Sequence, residues 1–123
     1  MTSDASPAAE IGFADFLKVD IRVGLVTDAQ VNDEARKPAI KLWVDFGPEI
    51  GSRKTSAQLT RHYTPEGLIG RKVLAVVNFP KKQIGKFMSE ILVLGVPDEE
   101  GEVVLLEPDH AILDQVPIGG RMY

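Results

Sequence analysis

The chain has 123 residues, of which 44% are hydrophobic and 26% charged. That is enough for one soluble domain around one core and too little for two. There is no cysteine, which excludes disulfides and thiolate metal sites and leaves a cytoplasmic setting unopposed. No apolar run approaches the roughly 18 residues of a membrane span. The opening MTSDASPAAE has neither the basic start nor the apolar centre of a secretion signal. The net charge of −4 is unevenly distributed. From Arg36 to Lys86 there are eleven Lys or Arg against three acids, a net of +8, and the flanks carry −12. The local field, rather than the total, governs attraction of a polyanion.

In chain order, residues 1–12 are small and polar and read as a disordered lead, with the folded domain expected over 13–123. Phe13, Phe16 and Leu17 recur at helical spacing and predict a short amphipathic helix. In DIRVGLVTDAQV the alternation of Ile21, Val23 and Leu25 predicts a half-buried strand, with Gly24 marking a bend or bulge. NDEARKP is a charged loop. AIKLWVDF then alternates cleanly, with Ile40, Leu42, Val44 and Phe46 on one face and Lys41, Trp43 and Asp45 on the other. The single tryptophan therefore lies on the polar face, either as a platform for a base or peptide or beneath a loop.

SRKTSAQL predicts a third strand, and Thr64-Pro65-Glu66 a short helix start after it. KVLAVVNF is apolar almost throughout and predicts a strand covered on both faces. EILVLGV is expected to pair with it across a basic loop, and EVVLLEP is the last clear strand, after an acidic turn at Asp98 to Glu102. The tail DHAILDQVPIGGRMY is too apolar at Ile112, Leu113 and Val116 to hang free. This order predicts an all-β, five-stranded Greek-key barrel of the OB type, with one short helix at the N-terminus and another between strands three and four.

No catalytic or metal-binding constellation is present. His62 and His110 have no metal-ligand spacing, and GSRKTS lacks the glycines of a nucleotide phosphate loop. Neither Ser56 nor Ser89 lies in a nucleophile elbow. The expectation is a protein with no enzyme activity, cofactor or metal.

The informative stretch is NFPKKQIGKFMSEILVLG, Asn78 to Gly95. Lys81, Lys82 and Lys86 bracket Phe87 and Met88, so positive charge adjoins apolar surface, a combination that suits phosphates and bases together. Asn78-Phe79-Pro80, then Lys82, Gly85, Ser89 and an alternating strand, resembles the second half of the tRNA-binding domain of several synthetase appendages. ARKPAIKLWVDFGPEIGSRKTSAQLT followed by LIGRKVLAVVNFPKKQIGKFMSEILVLG is similar in wording to one branch, the CsaA-type export-related chaperones. The similarity runs from about Phe13 to Met122.

The resemblance implies an OB-fold homodimer that binds tRNA, and for this branch also unfolded preproteins and the Sec translocase ATPase. The positions matching the family's RNA contacts are Ser56, Asn78, Lys82, Lys86 and Ser89. Lys37, Lys41, Arg53 and Lys54 would add phosphate contacts. Trp43 or Phe87 would stack on a base, and Trp43, Tyr63, Phe87 and Met88 would line a peptide pocket. Phe13, Phe16 and Leu17 with Ile112, Leu113 and Val116 would form the dimer seam. In the synthetase branch Gly-Met follows the serine matching Ser89. Here Glu90 stands in that place, where an open carboxylate would repel phosphate.

Overall fold

The computed structural model describes residues 6–123, so the first five residues of the expected lead lie outside the described residues. Residues 6–12 form neither helix nor strand. The elements are α1 (Phe13–Phe16), β1 (Ile21–Val31), β2 (Ile40–Asp45), β3 (Ser52–Ala57), α2 (Pro65–Leu68), β4 (Lys72–Val76), β5 (Lys82–Ile84), β6 (Phe87–Ser89), β7 (Leu92–Val93), β8 (Gly95–Pro97) and β9 (Val103–Leu105), followed by a 3-10 helix (His110–Gln115). Thr64 caps α2, its hydroxyl accepting from Gly67 N. No helix among the described residues is long and apolar enough to cross a membrane.

Five strands form an antiparallel sheet in the order β3-β2-β1-β4-β7, and its two ends approach each other. Glu90 N donates to Lys54 O at 2.8 Å, and Thr55 Oγ1 donates to Ile91 O at 2.9 Å. These bonds tie β3 to the chain entering β7 and curl the sheet into an OB-type barrel. Inside it Ile40, Leu42, Val44 and Phe46 pack with Val26, Leu59, Leu68, Val73, Ala75 and Ile91. The alternation read from β2 holds: Lys41, Trp43 and Asp45 are half-buried on the outer face.

β1 departs from its expected facing. The core-directed positions are Gly24, Val26 and Ala29, whereas Ile21 and Val23 are buried outside the main core cluster. Gly24 marks close packing rather than a bulge. A Cβ there would overlap Val44 Cγ1 and come within 2.7 Å of the Phe46 ring. The register shift comes later, between Val26 and Asp28, and it restores Ala29 to the core side.

What covers Ile21 and Val23 is the C-terminal tail. Gly119 N donates to Val23 O, Val23 N to Gly120 O and Met122 N to Ile21 O, so the tail lies alongside the first residues of β1. Lys72 Nζ holds the tail further back, donating to Leu113 O at 2.8 Å and Val116 O at 2.6 Å. In β4 Val73, Ala75 and Val76 are buried, while Lys72 and Leu74 are half-buried, so the second face is only partly covered.

The segment expected as one strand in EILVLGV is two. β7 pairs with β4, then the chain turns at Leu94-Gly95 and β8 pairs with β9 in a ladder of its own. A side chain at Gly95 would strike Val103 Cγ1 and Val104 O, so only glycine lets the hairpin close at this corner. EVVLLEP therefore contributes to this hairpin rather than to the five-stranded sheet. Its turn is tied down at Asp98, whose Oδ1 accepts from Glu100 N and Glu102 N while Oδ2 meets His62 Nε2 at 2.7 Å. The His62 bond, then the Glu102 N–H, hold the Asp98 carboxyl below the usual carboxylate range.

Two stability predictions follow from these contacts. Gly24→Ala forces a methyl into the Val44–Phe46 contact and is expected to cost about 1–3 kcal/mol, read as a lowered urea midpoint with unchanged slope. The second concerns Asp20, which accepts from Arg22 Nε at 2.6 Å and lies 3.6 Å from Arg121 Nε. The Arg22 bond foremost, then the charges of both arginines, lower its pKa against the opposing effect of partial burial. Its contribution is therefore present above the unfolded carboxylate value of about 3.9 and is lost as pH falls through the lower folded value. Asp20→Asn should destabilise near neutral pH, and the gap to the parent protein should close in urea titrations below about pH 3.9.

Candidate nucleic-acid interface

The basic stretch is a hairpin rather than a loop. β5 and β6 pair Lys82 with Ser89, Gln83 with Met88 and Ile84 with Phe87, joined by Gly85-Lys86. Gly85 has φ +63°, the conformation that a two-residue turn of type II′ requires at its first position. A Cβ there would also sit 3.0 Å from Glu34 O, so the hairpin tip packs against the β1–β2 loop.

That loop is fixed by Asn32, which is buried. Its backbone N–H donates to Ala39 O, its Oδ1 accepts from Glu34 N at 3.1 Å and its Nδ2 donates to Ser56 Oγ at 2.9 Å. Loop and hairpin face each other across a cleft of about 610 Å³ over the end of β3. The cleft gathers Arg36, Lys37, Ser56, Gln58 and Lys82 around walls of Ala35, Ala39 and Ile84. The strand-three face and these two loops are where OB folds receive oligonucleotides.

Beside the cleft, Lys41 pairs across the sheet with Ser56, and Trp43 with Lys54. The hairpin lays Phe87 over them. Its ring meets Trp43 edge-on at 5.9 Å between centroids, and the Lys41 and Lys54 ammonium groups each lie 5.1 Å from its centroid. Trp43 is thus half-covered by Phe87, and Phe87 is already engaged by two cations rather than presented as a bare stacking platform.

Several expected contacts occupy other positions. Ser89 is 8% exposed and its hydroxyl lies 2.6 Å from Thr55 Oγ1, so it fastens the hairpin to β3 instead of facing a ligand. Asn78 accepts from Asp20 N and donates to Lys18 O, tying the end of β4 to the chain before β1. Strand alternation puts Arg53 on the opposite side of β3 from Lys54. Lys86 is exposed at the hairpin tip.

Phe87 and Met88 are consecutive in β6 and point to opposite sides, so one pocket does not take both. Tyr63 belongs to a different neighbourhood. Its hydroxyl accepts from Leu105 N at 2.9 Å and Arg71 lies over its ring. Of the four side chains expected to line a peptide pocket, Trp43 and Phe87 are in contact, while Met88 and Tyr63 lie apart from them. A smaller, largely apolar cavity of about 210 Å³ adjoins the cleft, sharing Ser56, Lys82 and Ile84 with it and extending to Phe79, Pro80, Ile91 and Leu92.

Glu90 is not the open carboxylate that its position in the sequence suggests. Its Oε1 accepts from Lys54 N at 3.0 Å and its Oε2 lies 3.5 Å from Lys81 Nζ. It spends its charge on the barrel seam and on one lysine. The predicted seam residues separate by exposure. Phe13 is 70% exposed, Ile112 is 50% exposed and Leu17 is also open, while Phe16, Leu113 and Val116 are half-buried in their own chain. The two ends do meet: Arg121 Nη2 donates to Leu17 O at 2.6 Å.

Sequence reading passed over Asn32, Glu34, Arg36 and Gln83, which line or brace the cleft. NDEARKP looked like an ordinary charged loop. The available signal was an Asx residue opening a loop that returns to an apolar strand, the pattern of a side chain binding its own backbone.

The family described as "Putative tRNA binding domain" matches residues 21–114. The methionine–tRNA ligase of Porphyromonas gingivalis is 35% identical over 105 residues, 85% of this chain but only 15% of the ligase, so the chain spans a small fraction of that relative. Two solved structures are similar over nearly the whole chain. Chaperone CsaA of Bacillus anthracis shares 49% identity at a TM-score of 0.84, covering 94% of this chain and 100% of that one. The CsaA chaperone protein of Picrophilus torridus shares 45% at 0.83, covering 93% and 100%. The OB barrel, the cleft over β3 and these likenesses converge, and the chain belongs to the tRNA-binding domain family as a member of the CsaA type.

Proposed function

We propose that this chain is a non-enzymatic RNA- and polypeptide-binding protein of the cytoplasm, holding tRNA on the β2–β3 face and its cleft and holding unfolded preproteins during export. The observation that carries the tRNA reading is which cations are left unpaired. Lys18, Arg22, Arg61, Lys81 and Arg121 each meet a carboxylate. Lys72 is bound by backbone carbonyls and Arg71 lies over Tyr63. Among the described residues, Arg36, Lys37, Lys41, Lys54, Lys82 and Lys86 have no ion pair, and they border the cleft, the adjoining sheet face or the hairpin tip, while Arg53, also without an ion pair, lies on the other side of β3. Cations left uncompensated at one place are what a phosphate backbone needs.

The chaperone reading is supported by the likeness to CsaA structures and by the apolar cavity, beside which Phe79 and Leu92 stand 49% and 48% exposed. Open apolar surface next to lysines suits an extended, partly acidic segment. In this reading the protein hands its clients to the Sec translocase ATPase. A second copy covers Phe13, Leu17 and Ile112 and brings two basic faces together. The alternative is a dedicated tRNA-binding module acting in trans, with no client polypeptide.

Binding of tRNA should weaken steeply as salt rises. Lys82→Ala with Lys86→Ala should lower the log–log salt slope by about 1.4 to 1.8, one phosphate contact for each lysine, and an unchanged slope would remove the hairpin from the interface. An unfolded preprotein that displaces tRNA supports a shared face, whereas tRNA binding indifferent to it favours the trans-acting module. Sedimentation should give a dimer; a monomer at micromolar concentration would sink the seam.

A further inference from the structure

The cleft contains one residue that phosphate binding does not explain. Glu34 lines it beside Arg36, Lys37 and Lys82, and among the described residues its carboxylate has no ion pair. The loop holds the Glu34 backbone at the cleft: Glu34 N donates to Asn32 Oδ1, and the turn at Gly85 packs on Glu34 O. A site built only for phosphates gains nothing from a carboxylate, which repels them. A site for a nucleobase does gain, because a carboxylate accepts from an exocyclic amino group, as it does from the amino group of cytosine.

The rest of the lining fits the same ligand. Ala35, Ala39 and Ile84 supply flat apolar walls, and Ser56, Gln58 and Gln83 supply polar edges. Gln83 Nε2 is committed to Gly85 O at 2.7 Å, which fixes its amide and leaves the amide oxygen as the free acceptor. An A-form helix laid over the cleft would touch only its rim cations, since its bases are stacked inward. Filling a volume of about 610 Å³ requires a nucleotide that has left the stack.

Resting on the tRNA reading above, we infer that the cleft between the β1–β2 loop and the β5–β6 hairpin takes one unpaired nucleotide whose base carries an exocyclic amino group, with Glu34 as its acceptor. Arg36, Lys37 and Lys82 hold the phosphates flanking that nucleotide. Lys41 and Lys54 over Phe87 track the neighbouring backbone. Recognition then has two components, a salt-sensitive grip and a salt-insensitive choice of base.

The test compares short unstructured oligocytidine and oligouridine, equal in charge, for binding to the full chain near neutral pH, with tRNA measured alongside. The parent protein should prefer oligocytidine by about tenfold or more, the effect of a hydrogen bond to a charged acceptor. Glu34→Gln should bring the two affinities together. If Glu34 acts only through its charge, the substitution raises both affinities by one factor and leaves their ratio alone, and the inference fails. Equal binding of the two oligomers by the parent protein, with tRNA still bound, also overturns it while leaving the tRNA reading standing. Failure to bind tRNA or either oligomer overturns both.

Discussion

The bonds between β3 and the segment Ser89 to Ile91 hold both the fold and the site. Thr55 meets the Ser89 hydroxyl and the Ile91 carbonyl, while Lys54 and Glu90 are joined by one backbone bond and one bond from the Lys54 N–H to the Glu90 carboxylate. All of these groups are polar, and Thr55 and Ser89 are buried. Each bond made there adds about 0.5–1.5 kcal/mol, but a buried partner left unmade costs more, so the seam tends to form as a unit or not at all. Closing it brings β3 against the chain entering β7, so that the barrel is nearly closed, and at the same time sets the hairpin over β2 and β3. Without this seam Phe87 has no fixed relation to Lys41, Trp43 and Lys54, and the cleft has no second wall.

Glu90 shows how one substitution relative to relatives can be misread from sequence. A carboxylate three residues after Phe87 looks like a charge opposed to phosphate binding. In the fold it is turned toward the β3 backbone and Lys81, and its cost to the field of the face is confined to a lysine that it neutralises. The lysines bordering the cleft are untouched. The acidic residue that lines the cleft is Glu34, in a loop where the sequence offered no reason to single it out.

What the sequence made legible was local and periodic. β2 alternated as expected, Thr64 began α2, and the Lys-rich stretch contains the hairpin that walls the cleft. What it hid were partners distant in the chain. Ser89 and Asn78 carry the family resemblance, yet their hydroxyl and amide are bound to Thr55 and to the segment before β1, 34 and 58–60 residues away. No spacing rule reports such pairs. The facing of β1 was misjudged for a related reason. Period-2 alternation identifies two faces, and which one meets the core was decided by Gly24 fitting against Val44 and Phe46, while a tail almost a hundred residues later covered the other.

The charge arrangement answers how a chain of net −4 can present a face to a polyanion. Some of its acids are bound to partners away from the cleft. Asp20 is committed to Arg22 and Arg121, Asp98 to His62 and its own turn, Glu100 to Arg61 and Glu90 to Lys81. Carboxylates bound to cations away from the cleft contribute little field at it, because a close pair is a dipole whose potential falls faster than that of a single charge, and solvent screens it within about 8 Å at physiological salt. The lysines without partners therefore act as the local charge. A protein that needs both solubility and a phosphate-binding face can keep a negative total in this way, provided that the cations at that face are left without carboxylate partners.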